Sequence, residues 1–357
     1  MIPVTRTFLP PIEAYKALMQ RAFDAHWLTN RGPMVEELEG KLREYLHVSH
    51  ILMMTNGTIP LQIAVKLLGG GGEIITTPFS YVATTSSIVW EGCTPVFVDI
   101  DPEHLTIDET RIEAAITPRT TAILATHVFG NPCNVEAIEA IAKKHGLKVI
   151  YDGAHAFGVT YKGQSIFNFG DVSTCSFHAT KLFHTGEGGA VFCADAELVR
   201  HIYNAHNFGH NGPLAFHGLG INGKMSELQA AMGLAVLPHM PQIMEQRRAI
   251  SAAYDQLLAR SGVQPMRLRA GTEWNHSYYP VVFDTETDLL RVLEALNAAQ
   301  VFPRRYFYPS LNTLPYVAPV PMPVSESVAS RIACLPIYPG LTLAEVERIA
   351  HIISSNA

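Results

Sequence analysis

The sequence predicts an α/β fold: a mostly parallel central sheet with helices on both faces, followed by a smaller C-terminal α+β domain. Three observations carry this. Short β-branched and apolar runs alternate with amphipathic segments of helical period through the first 240 residues. One such run, residues 147–151, ends on Asp152, at the carboxyl edge where open α/β sheets place their ligands. Pro238 and Pro241 then flank a change of pattern, which divides the chain into a large domain, 1–240, and a small one, 241–357. A chain of 357 residues is long enough for two such units.

The elements follow in order. Residues 11–25 put Tyr15, Leu18, Met19 and Ala22 on one helical face, and a second helix beyond Gly32-Pro33 has Leu38, Leu42 and Tyr45 as its buried stripe. Residues 51–54 read as a strand running through Thr55-Asn56-Gly57-Thr58 into a helix with Leu61, Ala64, Val65 and Leu68. A strand, a small-residue turn and a helix start leave backbone N–H groups free at the positive end of the helix dipole. Gly57 and Thr58 are therefore candidates for a phosphate cradle, with a plain helix cap as the alternative for Thr58. The glycine run 69–72 lacks the Lys-Ser/Thr of a phosphate loop and reads as a surface turn. Further strands fall at 95–100 and 122–128, and Asn134 is placed to cap a helix over 135–145. Ser226-x-x-Gln229 and Thr342-x-x-Glu345 are capping boxes that open two later helices. Between them lie a long helix over 242–260, a strand near 278–283 and a helix over 289–298.

Residues 171–190, DVSTCSFHATKLFHTGEGGA, hold the most informative chemistry. A buried strand leads through a small-residue turn to one lysine, Lys181, and a glycine-rich exit into a second strand. Desolvation favours a neutral amine, and a neutral lysine attacks carbonyls, including that of pyridoxal phosphate (PLP). From this stretch alone, a surface lysine snorkelling from a loop is the stronger reading. The upstream Asp152 shifts the balance, because a carboxylate on the pyridine nitrogen of PLP keeps that ring an electron sink. Ser176 and His178, just ahead of the lysine, could hold a phosphate or a ring substituent.

Six motifs in register extend this to most of the chain: TNGT (55–58), TTPFSYVATTSSIVWEGCTPVFVDID (76–101), HVFGNPC (127–133), YDGAHAFG (151–158), SFHATKLFHTGEGGA (176–190) and GINGKMSELQAAMGL (220–234). With them the chain resembles the sugar aminotransferases of the DegT/DnrJ/EryC1/StrS family, PLP enzymes of the aspartate aminotransferase fold (fold type I). The resemblance implies that Lys181 anchors the cofactor and moves protons, that Asp152 holds the ring nitrogen, and that Tyr81 stacks over the ring. It implies His155 beside the ring hydroxyl and Gly57, Thr58 and Ser176 on the phosphate. Asn222 would reach the phosphate of the other subunit, which implies a homodimer with shared active sites. The amino donor would be L-glutamate, released as 2-oxoglutarate with pyridoxamine phosphate left behind, and the acceptor a nucleotide-linked keto sugar. The ING-KMSE variant looks most like the branch that aminates C4 of a 4-keto-6-deoxy sugar nucleotide. Amination at C3, or a UDP- or GDP-linked sugar, is the alternative.

Many members have Arg where Lys224 stands, and lysine cannot reproduce a forked contact. Related sugar dehydratases replace the lysine by histidine, so Lys181 argues against that activity, and against a regulator that has lost catalysis. The RRYFYP loop, with Arg304, Arg305, Tyr306 and Tyr308, suits a carboxylate or a diphosphate, or is an ordinary charged loop.

Composition narrows the rest. A net charge of -6 offers no field for nucleic acid. Five scattered cysteines without CxxC spacing suggest reduced core residues of a cytoplasmic protein. No stretch approaches the roughly 20 apolar residues of a membrane span. His201, His206, His210 and His217 fit no standard zinc pattern, so no metal is expected. No G-x-G-x-x-G follows the first strand, against a dinucleotide-binding dehydrogenase.

Overall fold

The computed structural model describes residues 1–357. Its centre is a seven-stranded sheet of β1 (His50–Met54), β2 (Glu73–Thr76), β3 (Thr94–Phe97), β4 (Thr120–Thr126), β5 (Lys148–Asp152), β6 (Val172–Ser176) and β7 (Gly189–Cys193). They lie in the order β1-β7-β6-β5-β4-β2-β3, and every pairing is parallel except those of β7, which runs against both its neighbours. The strands between the two edges are almost wholly buried because helices cover both faces, as their continuous apolar character requires, while the edge strand β3 buries only Phe97.

On one face α1 (Ile12–Asp24), α2 (Pro33–Leu46), α5 (Val135–His145) and α7 (Glu227–Val236) close the larger core, with Leu38, Leu42, Ile138 and Leu234 among its members. On the other, α3 (Thr58–Leu68), α4 (Val82–Trp90) and α6 (Ala196–Ala205) pack Leu61, Ile63, Ile88 and Ile202 against the sheet. Local signals set the helix ends as predicted: Asn134 accepts from Ala137 N at 3.3 Å, and both capping boxes are formed. One expected core residue is misplaced. Tyr45 is 36% exposed and lies on Phe157 at 5.8 Å, while its neighbour Leu46 faces inward.

Residues beyond 240 form α8 (Met240–Leu257), α9 (Glu286–Ala298), α10 (Pro323–Arg331) and α11 (Leu343–Asn356) around a three-stranded antiparallel sheet of β8 (Gln264–Pro265), β9 (Pro280–Val282) and β10 (Ile332–Cys334). Their separate core includes Tyr254, Val281, Leu289, Val346 and Ile349, joined by Ile2 from the amino terminus. Residues Ile2–Pro3 pair with Val301–Phe302, and α8 begins in the large core with Ile243 and ends in the small one with Ile250. We propose the division 1–240 and 241–357 with these two crossings as its ties. A fourth apolar cluster, Phe79, Phe129, Tyr278, Phe307 and Cys334, mixes residues of both units beside the carboxyl edge of the sheet.

Candidate active site

At that edge lies a cavity of about 550 Å³. Gly57, Thr58, Tyr81, Asp152, His155, Ser176 and Lys181 all line it, so the structure brings together every predicted site residue except Asn222. Asn222 is exposed and bridges Asn207, outside the cavity of its own chain. From beyond residue 240 come Tyr278, Arg304, Tyr306 and Phe307.

Strand register explains the convergence. Asp152, at the end of β5, pairs with Thr126 on one side and Thr174 on the other, so Ser176 lies just beyond it on β6. Lys181 sits in the turn joining β6 to the returning β7, held by Phe177 N–H to Gly188 O at 2.8 Å and Ala179 N–H to Gly186 O at 2.7 Å. Two glycines allow the TNGT turn to press against these strands. A Cβ on Gly189 would collide with the Asn56 carbonyl, and one on Gly57 would sit 2.5 Å from Ser176 Cβ and 2.7 Å from its Oγ. Asn56, not Thr58, caps α3: its Oδ1 accepts from Thr58 N at 2.8 Å and Ile59 N at 2.9 Å. The Gly57 N–H makes no hydrogen bond within the chain, so it and the Thr58 and Ser176 hydroxyls are the donors that this turn and strand end offer to the cavity.

The charges are arranged for different tasks. Asp152 is buried and accepts from Thr84 Oγ1 at 2.7 Å and Ala154 N at 3.0 Å. Lys181 is half-buried and has no ion pair; its one hydrogen bond is from Nζ to Tyr278 Oη at 3.4 Å. Burial pushes the amine below its ordinary pKa, and the charge of Asp152 opposes that in part. His155 Nδ1 accepts from Phe129 N at 3.1 Å, which puts the imidazole proton on Nε2. Burial first, and the Lys181 charge second, hold that imidazole far below its usual range, so it is a neutral single donor. Phe307 stacks on it at 5.5 Å and 4°. Tyr306 is pushed up to about 12, mainly by burial, and stays a neutral phenol.

Several residues here carried no sequence signal. Tyr278 belongs to an apolar run that reads only as strand, and Phe307 reads as loop. The two arginines of RRYFYP part company. Arg305 is spent on Glu286 at 2.6 Å and the Ser330 carbonyl at 2.7 Å, whereas Arg304 has no acidic partner, lies over the Tyr306 ring at 4.8 Å and reaches the cavity. Lys224 turns to Asn207 Oδ1 at 2.9 Å and Phe208, not to the cavity.

The architecture is that of an aminotransferase. The structure of DesI in the presence of its TDP-sugar product superposes with a TM-score of 0.93 at 35% identity, covering 99% of this chain and 92% of that one. Residues 12–354 match the model of the DegT/DnrJ/EryC1/StrS aminotransferase family, and the chain belongs to that family of PLP-dependent aminotransferases. It is similar to two proteins named dTDP-4-amino-4,6-dideoxy-D-glucose transaminase. That of Escherichia coli is 38% identical over 99% of this chain and 98% of its own, and that of Shigella dysenteriae 42% identical over 98% and 97%.

Proposed function

We propose that this enzyme moves an amino group from L-glutamate to dTDP-4-keto-6-deoxy-D-glucose, giving dTDP-4-amino-4,6-dideoxy-D-glucose, with PLP as cofactor. The observation that carries it is the meeting of the Lys181 amine and the buried Asp152 carboxylate in one cavity with a glycine cradle. The similarity to two full-length transaminases of that name supports the choice of sugar.

The donor set fits the cofactor. An aldehyde needs an amine, a pyridine nitrogen a buried carboxylate, a phosphate free N–H and O–H donors, and a ring hydroxyl a neutral N–H. Lys181, Asp152, the Gly57–Thr58–Ser176 group and His155 meet these needs in turn. When bound, PLP supplies an electron sink for the carbon that loses a proton. Lys181 Nζ, with its lowered pKa, would act as base and then as acid in each half-reaction, taking a proton from the amino donor's Cα in the first and delivering one to the sugar carbon in the second. Tyr81, half exposed at the cavity mouth, covers the ring face. Arg304, free of any acid, takes the donor's carboxylate or the sugar's diphosphate.

A homodimer completes the site in this reading. Asn222 faces solvent outside its own cavity, on a segment that also exposes Phe208, Leu214, Phe216 and Leu219, an apolar surface suited to a second copy. No helix is long and apolar enough to cross a membrane, and we place the enzyme in the cytoplasm.

The test is to supply purified protein and PLP with L-glutamate and a panel of 3-keto and 4-keto sugar nucleotides, following 2-oxoglutarate. Amination at C4 of the dTDP sugar is expected. Conversion of a 3-keto sugar alone would overturn the C4 assignment, and full turnover by Lys181→Ala would overturn the role of the lysine.

A further inference from the structure

Behind Asp152, on the side away from the cavity, runs a file of buried hydroxyls that the proposed chemistry does not use. Thr84 Oγ1, on the first turn of α4, donates to Asp152 Oδ2 at 2.7 Å. Ser80 Oγ is 2.7 Å from Thr84 Oγ1, and Thr126 Oγ1, at the end of β4, donates to Ser80 Oγ at 3.1 Å. Thr84, Ser80 and Thr126 are 0%, 1% and 2% exposed, so no water competes for these bonds.

Proton counting gives the file a direction. Each hydroxyl has one proton, and an ionised carboxylate only accepts. Thr84 spends its proton on Asp152, so Ser80 must donate to Thr84, and Thr126 must donate to Ser80. Every O–H points toward the carboxylate. If Asp152 were protonated and donated to Thr84, the file would reverse, and the Thr126 proton would be left buried with no acceptor. With Thr84 donating to Oδ2, every O–H of the file has an acceptor, and aligned hydrogen bonds polarise one another. Ala154 N–H holds the other oxygen at 3.0 Å, so the carboxyl group is fixed in angle through both of its oxygens.

We infer that Thr84, Ser80 and Thr126 form a one-way hydrogen-bond relay that holds the Asp152 carboxylate in place and aimed into the cavity, which makes them positioning residues for the cofactor's ring nitrogen. This rests on the PLP reading of the site. The other titratable groups facing Asp152 are Lys181 and His155 across the cavity and Cys175 from β6. None of them touches the relay in the hydrogen-bond network.

The experiment is an absorbance titration of apoprotein with PLP at about pH 7.5, for wild type, Thr84→Val, Thr84→Ser, Ser80→Ala and Asp152→Asn. Removing one hydrogen bond to the carboxylate should raise the PLP Kd about tenfold in Thr84→Val. Thr84→Ser should restore it, and Ser80→Ala, one link back, should give a rise of about threefold. A wild-type Kd in Thr84→Val, or in Ser80→Ala should Thr84→Val not fold, with Asp152→Asn weakened at least tenfold, would overturn the relay and leave the Asp152 assignment standing. Wild-type binding by Asp152→Asn would overturn the assignment itself, and the relay with it.

Discussion

Substituting Gly57 by alanine tests the phosphate cradle through a contact that can be measured in advance. The new methyl would sit 2.5 Å from Ser176 Cβ and 2.9 Å from Ser176 Cα, about 0.9 Å short of the 3.4 Å at which ordinary contact begins for the closer pair. Neither neighbour is the end of a flexible side chain; both belong to the last residue of β6, in the middle of the sheet. Relief must come from moving the start of α3 away from that strand by about 1 Å. A donor at about 2.9 Å from a phosphate oxygen would then stand near 3.9 Å, beyond hydrogen-bonding range. Losing two hydrogen bonds to a charged group, at about 1.5 to 3 kcal/mol each, weakens PLP binding by roughly 10² to 10⁴-fold. Overpacking of the apoprotein costs about 1 to 3 kcal/mol more. The assay is an absorbance titration with PLP, alongside urea unfolding of the apoprotein. Gly40→Ala is the control, since Gly40 lies within α2 with nothing within 4 Å of the added atom. A Gly57→Ala protein whose PLP Kd stays within threefold of wild type would refute the cradle.

Four further outcomes are expected. Tyr278→Phe removes the one hydrogen-bond acceptor of the Lys181 ammonium, a long bond worth about 0.5 to 1 kcal/mol, so the amine's pKa and the acid limb of the pH–rate profile should fall by roughly half a unit; an upward shift would contradict this. Glu227→Ala takes a buried carboxylate from Met34 N at 2.8 Å and Val35 N at 3.1 Å, in the first turn of α2, and should cost about 3 to 5 kcal/mol in urea unfolding; a loss under 1 kcal/mol would show that water replaces it. His127 is fully buried with its pKa pushed down to about 3, so the unfolded chain, titrating near 6.5, binds more protons below that pH. Stability is therefore full above pH 6.5 and falls toward pH 3, with about 2 kcal/mol lost from this residue by pH 5, to be read from urea midpoints at the two pH values. Asn222→Ala mixed with Lys181→Ala should recover activity if the sites are shared, because one hybrid site then carries both intact residues; no recovery would place Asn222 outside the partner's cavity.

What could be read from the sequence was what local chemistry enforces. Asn134, Ser226 and Thr342 mark helix starts because a hydroxyl or amide must meet free N–H groups within three residues. Lys181 and Asp152 stand out because an isolated cation in an apolar turn and an acid at a strand end are each costly without a use. Helix α6 lies outside the predicted elements although Asp195, which accepts from Glu197 N at 2.8 Å and starts it, is a cap of the same kind. Helix α10 escaped because its sequence, PVSESVASR, buries only Ser325, Val328 and Ala329 and shows no broad apolar stripe. Tyr278 and Arg304 reach the cavity only through packing between residues far apart in the chain, 97 positions in the case of Tyr278 and Lys181, which no local pattern encodes. The same holds for the relay: Ser80 and Thr84 are one helical turn apart, but Thr126 joins them only once β4 lies beside β2.

The reversed strand β7 has a consequence for how such an enzyme could be re-engineered. It pins the lysine turn at both ends inside the sheet, between β6 and β1, so that wall of the active site is a fixed anvil. The opposing jaw, from Arg304 to Phe307, is a loop tied at its root by the backbone pair between Arg304 and Cys334 and at its far end by the buried Phe307. Grafting a different jaw around a retained Phe307 should therefore retune which sugar is gripped without disturbing the amine and carboxylate that do the chemistry.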